Sequence, residues 1–369
     1  MSTAAALPPT PRSPGVGARR KGPKQLPKLP LSAFTPPNTG TSEQFPLAPS
    51  PSALQPEEIV DAHVIAPSGD LSSWQSQVGQ TLGGRIRGVV LSLHGVQPAN
   101  VEKVVQEIQL SLSTSSTPIL AVAVPFTLED GAPSAPPSYL TASSSQPPVV
   151  LTTTFKTSSP AAIEALAWAL TQGLTINIDV QSDLQRESGW DSLEELLTKA
   201  TAGPDATGKI VLSNILPPPD SLTLPIVKLL TYPLYQSYQG HTASLSLFAN
   251  LFINFLPPAW GASTPPTPLP GPSSSSGEKE QTPQVESKEA REWKRRIKMY
   301  IGPAVEAFGF QRILFGSSPA APLTASTPAS QAGDWFELAR ESFAELGVEQ
   351  DAIDAVFAQN ARQVYGPSS

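Results

Sequence analysis

With 369 residues and 39% hydrophobic content, the chain can bury the core of one large α/β barrel or of two ordinary domains. It has no cysteine, which excludes disulfides, thiolate nucleophiles and cysteine-ligated metals; with His63, His94 and His241 its only histidines, a multi-histidine centre would need nearly all of them at one place. Six cations and no acid fall in residues 1–42, so the formal charge of −7 leaves −13 on the remainder, a body that repels nucleic acid.

Residues 1–55 form a basic leader rich in Pro, Ser and Thr, without helical or strand periodicity. Such a segment buries too little apolar surface to offset the entropy of ordering and is expected to be disordered. Within it, Lys24-Gln-Leu-Pro27-Lys-Leu-Pro30 has the basic-x-x-Pro-x-x-Pro spacing that suits the polyproline groove of an SH3-type partner. A basic leader is also the material of a mitochondrial address, but these prolines spoil the amphipathic helix such a signal needs. There is no secretory segment, and the longest apolar run, Leu245 to Leu256, holds Ser and Asn and falls short of a membrane span. A cytoplasmic protein is expected.

From residue 56 to 369, short β-branched runs alternate with helical patterns, the signature of parallel strands joined by crossover helices. Eight strands are predicted: Glu58 to Val64, Ile86 to Leu93, Ile119 to Val124, Val149 to Phe155, Thr175 to Val180, Ile210 to Asn214, Leu251 to Phe255, and Arg312 to Phe315. Being almost continuously apolar, they suit strands buried on both faces. An open doubly wound sheet would alternate in the same way; the count of eight favours closure into a (β/α)8 TIM barrel.

Val101, Val104, Val105, Ile108 and Leu112 give the helix after the second strand its apolar stripe. Residues 125–148 carry no such stripe and break the repeat. Ser159 and Pro160 open the next helix and Gly173 closes it; Ser192 with Glu195 then reads as a capping box ahead of Leu193, Leu196, Leu197 and Ala200. Gly203 to Lys209 almost spells a phosphate-binding loop, but it ends in Ile210 and precedes a strand, so no helix N-terminus would meet a phosphate. Residues 261–287 are a low-complexity insert, and Pro303 is expected to break or restart the helix marked by Trp293, Ile297, Tyr300 and Ile301.

Two segments go beyond pattern. Phe308-Gly309-Phe310-Gln311-Arg312-Ile313-Leu314-Phe315-Gly316-Ser317-Ser318-Pro319 resembles the last-strand motif of the amidohydrolase-related family, FGxxRxxFGSDxP, and Asn360 to Tyr365 is similar to that family's Asn-Ala-x-x-x-Tyr ending. Upstream, Asp61-Ala62-His63 resembles the opening of its first-strand motif, Asp-x-His-x-His. The resemblance anchors both ends of the barrel and implies a hydrolase in which one or two divalent metals at the C-terminal mouth activate water. That chemistry needs several imidazoles and a carboxylate converging on one ion.

Position by position, the sequence departs from it. Ile65 stands where the second His is expected, Asn177, Asp179 and Gln181 follow the fifth strand, Asn214 replaces the sixth-strand His, and Ser318 replaces the eighth-strand Asp. Asp61 and His63 remain as remnant metal ligands; His63 and Asp179 are the candidates for catalysis, and His94, Lys156, Asn214 and Ser318 for substrate binding. Blander roles stand beside these: a His bonded to a neighbouring strand, a His before a turn glycine, a Lys in solvent. No cofactor is expected, a divalent ion such as zinc being the one the resemblance would supply. The expected function is an amidohydrolase-related barrel of the metal-dependent hydrolase type, most of its usual metal ligands replaced, that is weakly active, binds a small molecule at its mouth or is non-catalytic. The alternatives are a metal-free hydrolase of an ester, lactone, C–N or C–C bond, and an interaction protein working through its Pro-rich segments.

Overall fold

The computed structural model describes residues 54–112, 117–141, 147–267, 287–320 and 330–366, all within one compact unit. The leader with its Lys24 to Pro30 motif, and residues 268–286 of the insert, lie outside the described residues. Eight strands follow in chain order: β1 (Ile59–Ile65), β2 (Ile86–Ser92), β3 (Ile119–Pro125), β4 (Val149–Phe155), β5 (Ile176–Val180), β6 (Ile210–Leu216), β7 (Leu251–Phe255) and β8 (Ile313–Phe315). Each pairs in parallel with the next, in the order β1-β2-β3-β4-β5-β6-β7-β8, which is the predicted (β/α)8 architecture.

Successive strand residues point to opposite faces. Ile176, Ile178 and Val180 of β5, like Leu251, Ile253 and Phe255 of β7, belong to the large apolar cluster under the helices. Val60, Val90, Ala121, Val150, Val211, Phe252 and Leu314 form a second, separate cluster that fills the barrel. Two apolar faces per strand explain why the strands read as continuous hydrophobic runs.

The helices are α1 (Ser72–Gln75), α2 (Gly79–Arg85), α3 (Pro98–Ser111), α4 (Ser138–Thr141), α5 (Pro160–Thr171), α6 (Glu187–Ala200), α7 (Ile226–Leu229), α8 (Pro233–Leu245), α9 (Lys288–Phe308), α10 (Ala332–Ala344), α11 (Gln350–Asp354) and α12 (Asn360–Tyr365), with a π turn at Ala355–Gln359. Ser159 caps α5 by accepting from the Ala162 amide at 3.1 Å, as its sequence predicts. The stripe of α6 is buried as expected, but the capping box is not where it was predicted. The helix starts a turn earlier, at Glu187, and Ser192, inside it, instead receives the Ser158 amide at 2.6 Å.

A second correction concerns Pro303, which neither breaks nor restarts α9. A helical proline leaves the carbonyl four residues earlier without its amide donor. Here that carbonyl, Met299, accepts the Tyr235 hydroxyl at 2.8 Å, so the lost bond is replaced from α8. Among the described residues, the break after β3 contains the single turn α4, consistent with the missing stripe.

The π turn and α12 close the N-terminal end of the barrel. Asn360 donates to the carbonyls of Phe310 and Ile313, Lys209 reaches the Gln363 carbonyl, and Tyr365 enters the interior cluster. The loops that carry function in barrels of this kind converge at the opposite, C-terminal mouth.

Seven neighbouring strand pairs form ladders. Among the described residues, the remaining seam, β8 against β1, is held just at the mouth by three bonds from backbone amides, beside a contact of the His63 ring with the Ser318 carbonyl. The Ser318 amide donates to the His63 carbonyl at 3.0 Å, the Ser317 amide to Asp61 Oδ1 at 2.9 Å, and the Ile65 amide to Ser318 Oγ at 3.1 Å. Gly316 makes this approach feasible, because a Cβ there would lie 2.7 Å from that of His63 and 2.6 Å from Leu256.

Candidate functional site at the barrel mouth

Asp61, His63, Ile65 and Ser318 meet at the β8–β1 seam. In register Asp61 lies beside Val89, an outward-facing residue of the helix-side core, so its carboxylate turns toward the helix layer rather than the lumen. Oδ1 accepts the His63 amide at 3.1 Å and the Ser317 amide at 2.9 Å, while Oδ2 is buried with no hydrogen-bond partner. Burial outweighs these bonds and pushes the Asp61 carboxyl up to about 6. From outside, Trp74 Nε1 donates to Ser317 Oγ at 2.9 Å and Trp335 Nε1 to the Gly316 carbonyl at 3.0 Å, fixing the end of β8.

His63 is 2% exposed, and its Nδ1 lies 3.1 Å from the Ser318 carbonyl oxygen. A carbonyl only accepts, so Nδ1 carries a proton in this contact, and Nε2 is the ring nitrogen left for other partners. The register break between Asp61 and Val64 resets the strand, and Ile65 then pairs with Ser92 on the inner face. The position where the resemblance places a second imidazole is thus an apolar side chain at the mouth.

Across the barrel, the layer of the inner face of β4 to β7 nearest the mouth is polar. Thr154, Asp179 and Ser213 stand side by side in register, and Asn254 Nδ2 donates to Ser213 Oγ at 3.0 Å. One layer deeper, Asn177 Oδ1 accepts the Tyr365 hydroxyl at 2.7 Å. Asp179 and Asn254 are buried, and Asn254 Oδ1 and Ser92 Oγ have no hydrogen-bond partner. Ser213 and Asn254 did not emerge from the sequence as site residues. The signal for Asn254 is a lone Asn in an otherwise apolar strand, Leu-Phe-Ile-Asn-Phe, and Ser213 stands beside Asn214 in Ile-Val-Leu-Ser-Asn-Ile-Leu.

Asn214, at the end of β6, adopts a left-handed backbone with φ 64°, and its Nδ2 donates to the Val180 carbonyl at 3.2 Å. Its amide therefore ties β6 to β5. His94 is half-buried just beyond β2, and Lys156 is exposed just beyond β4. His241 lies on α8, stacked on Trp190 between Glu187 and Glu194. The structure thus gathers Asp61, His63 and Ser318 at one seam and places Asp179 and Asn214 on β5 and β6. Among the described residues, no group of three His, Asp or Glu side chains could hold a metal ion.

An eight-stranded parallel barrel with its loops gathered over a partly polar interior defines a protein of the TIM-barrel class. Solved structures sharing this fold include a zinc-bound amidohydrolase from Burkholderia multivorans, with a TM-score of 0.50, 11% identity, and 84% of this chain and 99% of that one covered. A Pseudomonas putida protein designated a 2-pyrone-4,6-dicarboxylic acid hydrolase aligns equally well, with a TM-score of 0.50, 12% identity, and 84% and 98% coverage. No family model and no curated protein matches the sequence. At this level of identity the likeness shows a shared fold alone. No helix among the described residues is long and apolar enough to cross a membrane.

Proposed function

We propose that this chain is an amidohydrolase-related barrel that binds a small organic ligand at its mouth without a resident divalent ion. The observation that carries the reading is what the side chains at the expected ligand positions do. Asn214 bonds the Val180 carbonyl, Ser318 bonds the Ile65 amide, and Ile65 offers no donor atom. Asp61 spends one oxygen on two backbone amides and faces away from the lumen. These positions hold strand ends together by hydrogen bonds, and a lone imidazole is left as lumen-side donor at the seam. That donor set does not fit a divalent hydrolytic centre, which needs three or more ligands around one point.

The ligand reading draws on the buried Asn254 Oδ1 and Ser92 Oγ, which have no protein partner. Buried polar atoms are nearly always satisfied, by ordered water or by a bound molecule where the protein supplies none.

One observation favours a second reading, a metal-free hydrolase. The His63 Nδ1 contact with the Ser318 carbonyl leaves Nε2 able to accept a proton, as a general base for ester or lactone cleavage must. The test is a thermal-shift and hydrolysis screen of the full chain with small esters, lactones, amides and the matching acids, repeated on His63→Ala. The first reading expects a stabilising ligand and no turnover above background. Turnover that disappears in His63→Ala, with the fold retained, would establish the second.

A further inference from the structure

In the helix layer, His241 of α8 sits between two carboxylates of α6. Its Nε2 lies 2.8 Å from Glu187 Oε1 and its Nδ1 lies 2.7 Å from Glu194 Oε1. We propose that this trio is a proton-held clamp between α8 and the first turns of α6, and that its release as pH rises loosens the loop joining β5 to α6. The inference is independent of the reading of the barrel mouth and uses none of its candidate site residues.

The proton count carries the argument. A neutral imidazole has one N–H and one bare lone pair, and an ionised carboxylate only accepts. A neutral ring can therefore satisfy one of the two contacts, and sets its lone pair against the oxygen of the other. Both contacts are hydrogen bonds only when the trio holds one further proton, on the ring or on a carboxyl group. The imidazole is the inner member, with its side chain 12% exposed against 66% for Glu187 and 30% for Glu194.

The partners are fixed in place. The ring of His241 stacks on Trp190, with centroids 4.9 Å apart and planes inclined by 2°. Ser237, one turn before His241, donates to Glu187 Oε2 at 3.1 Å. Hydrogen bonds from His241 and Ser237 hold the Glu187 carboxyl below its ordinary range, as an ionised acceptor. Of the other charges on α6, Glu195 is paired with Lys199 at 2.6 Å and Asp191 is exposed. The tyrosines of α8, Tyr235 and Tyr238, donate to carbonyls of α9, and from α9 Glu306 acts on Tyr235.

What the clamp holds is the start of α6. Glu187 is the first residue of that helix and follows directly on the loop leaving β5 at the mouth. Trp190, beneath the His241 ring, donates its Nε1 to the Leu184 carbonyl at 3.0 Å. At Gly189 a Cβ would lie 2.3 Å from the Asp183 carbonyl oxygen, so the loop presses directly on the first turn of the helix. His241 thus ties this turn, and the loop packed on it, to α8. The hold is complete while the extra proton is bound and weakens as pH rises through the range where imidazoles titrate, about 6 to 8.

The experiment follows Trp emission and amide hydrogen exchange of the full chain across that range. An imidazolium stacked on an indole quenches it, so emission should rise with pH as the proton leaves. Protection of the amides of residues 182–190, corrected for the intrinsic pH dependence of exchange, should fall about fivefold over the same interval. His241→Gln, which stays neutral, should abolish both steps. Glu187→Gln and Glu194→Gln should each move the midpoint to lower pH, because each removes a charge that retains the proton; a purely packing role for the ring would leave the midpoint in place. Circular dichroism verifies folding, and Glu187→Gln, at an exposed position, supplies the charge test even if the other variants fail to fold. No step in the wild type, the same steps in His241→Gln, or a midpoint unmoved in the folded glutamate variants would overturn the inference.

Discussion

Asp61 and Ser317, 256 residues apart in the chain, meet in a 2.9 Å hydrogen bond that closes the seam between the first and last strands. The acceptor is a carboxylate oxygen buried in the protein, and the opposite oxygen of the same group has no partner. The motif residue that resembles a metal-site Asp thus acts as a structural bridge, and its charge is a burden on the fold.

That burden predicts a pH dependence. Because burial raises the Asp61 carboxyl to about 6 from an ordinary 3.8, the folded state holds this proton more tightly than the unfolded state. Stability should therefore fall as pH rises from about 4 to about 6 and level off above, by about 3 kcal/mol for a difference of this size. Asp61→Asn keeps the Oδ1 acceptor for Ser317 and His63 but carries no charge. Urea unfolding between pH 4 and 7 should show this component in the wild type and not in the variant; parallel profiles would show that the charge is not a burden.

Asn214 offers a test of the strand-end ties. Its φ of 64° admits glycine without strain, whereas alanine pays roughly 1–2 kcal/mol for the left-handed backbone. Both substitutions lose the bond to the Val180 carbonyl, about 1 kcal/mol. Asn214→Ala should be less stable than Asn214→Gly by about 1 kcal/mol in chemical denaturation, and the reverse order would count against the conformation described.

Arg296 and Asp220 should behave as a coupled unit. Arg296→Met leaves the Asp220 carboxylate in a largely buried position beside Tyr300 and is expected to cost about 3–5 kcal/mol. The double variant Arg296→Met with Asp220→Leu should recover much of that loss, since no charge is then stranded. Additive losses in a double-mutant cycle would show that the pair is not coupled.

Much of the fold is legible in the sequence because the strands are apolar on both faces, and all eight lie within a few residues of their predicted places. The C-terminal motif is legible too, since Gly316 and Ser318 have to sit against His63 for the barrel to close. Helix α8 escaped prediction although Tyr235, Tyr238, Thr242 and Leu245 form a buried stripe, because Gln, Ser, Gly and His between them dilute it. The continuity of α9 through Pro303 could not be read locally, since the replacement donor, Tyr235, is 64 residues away. The site was legible only as residue types. An Asn or Ser at a strand end looks the same in sequence whether it faces the lumen or bonds the next strand, and it is the partner in three dimensions that separates the two.

The most direct test of the central claim is the metal content of the full chain after incubation with excess zinc and desalting, measured by plasma mass spectrometry. With Asn214 and Ser318 serving as ties and Ile65 offering no donor, the account predicts far less than one equivalent, unchanged in His63→Ala. One equivalent retained by the wild type and lost in His63→Ala would contradict it.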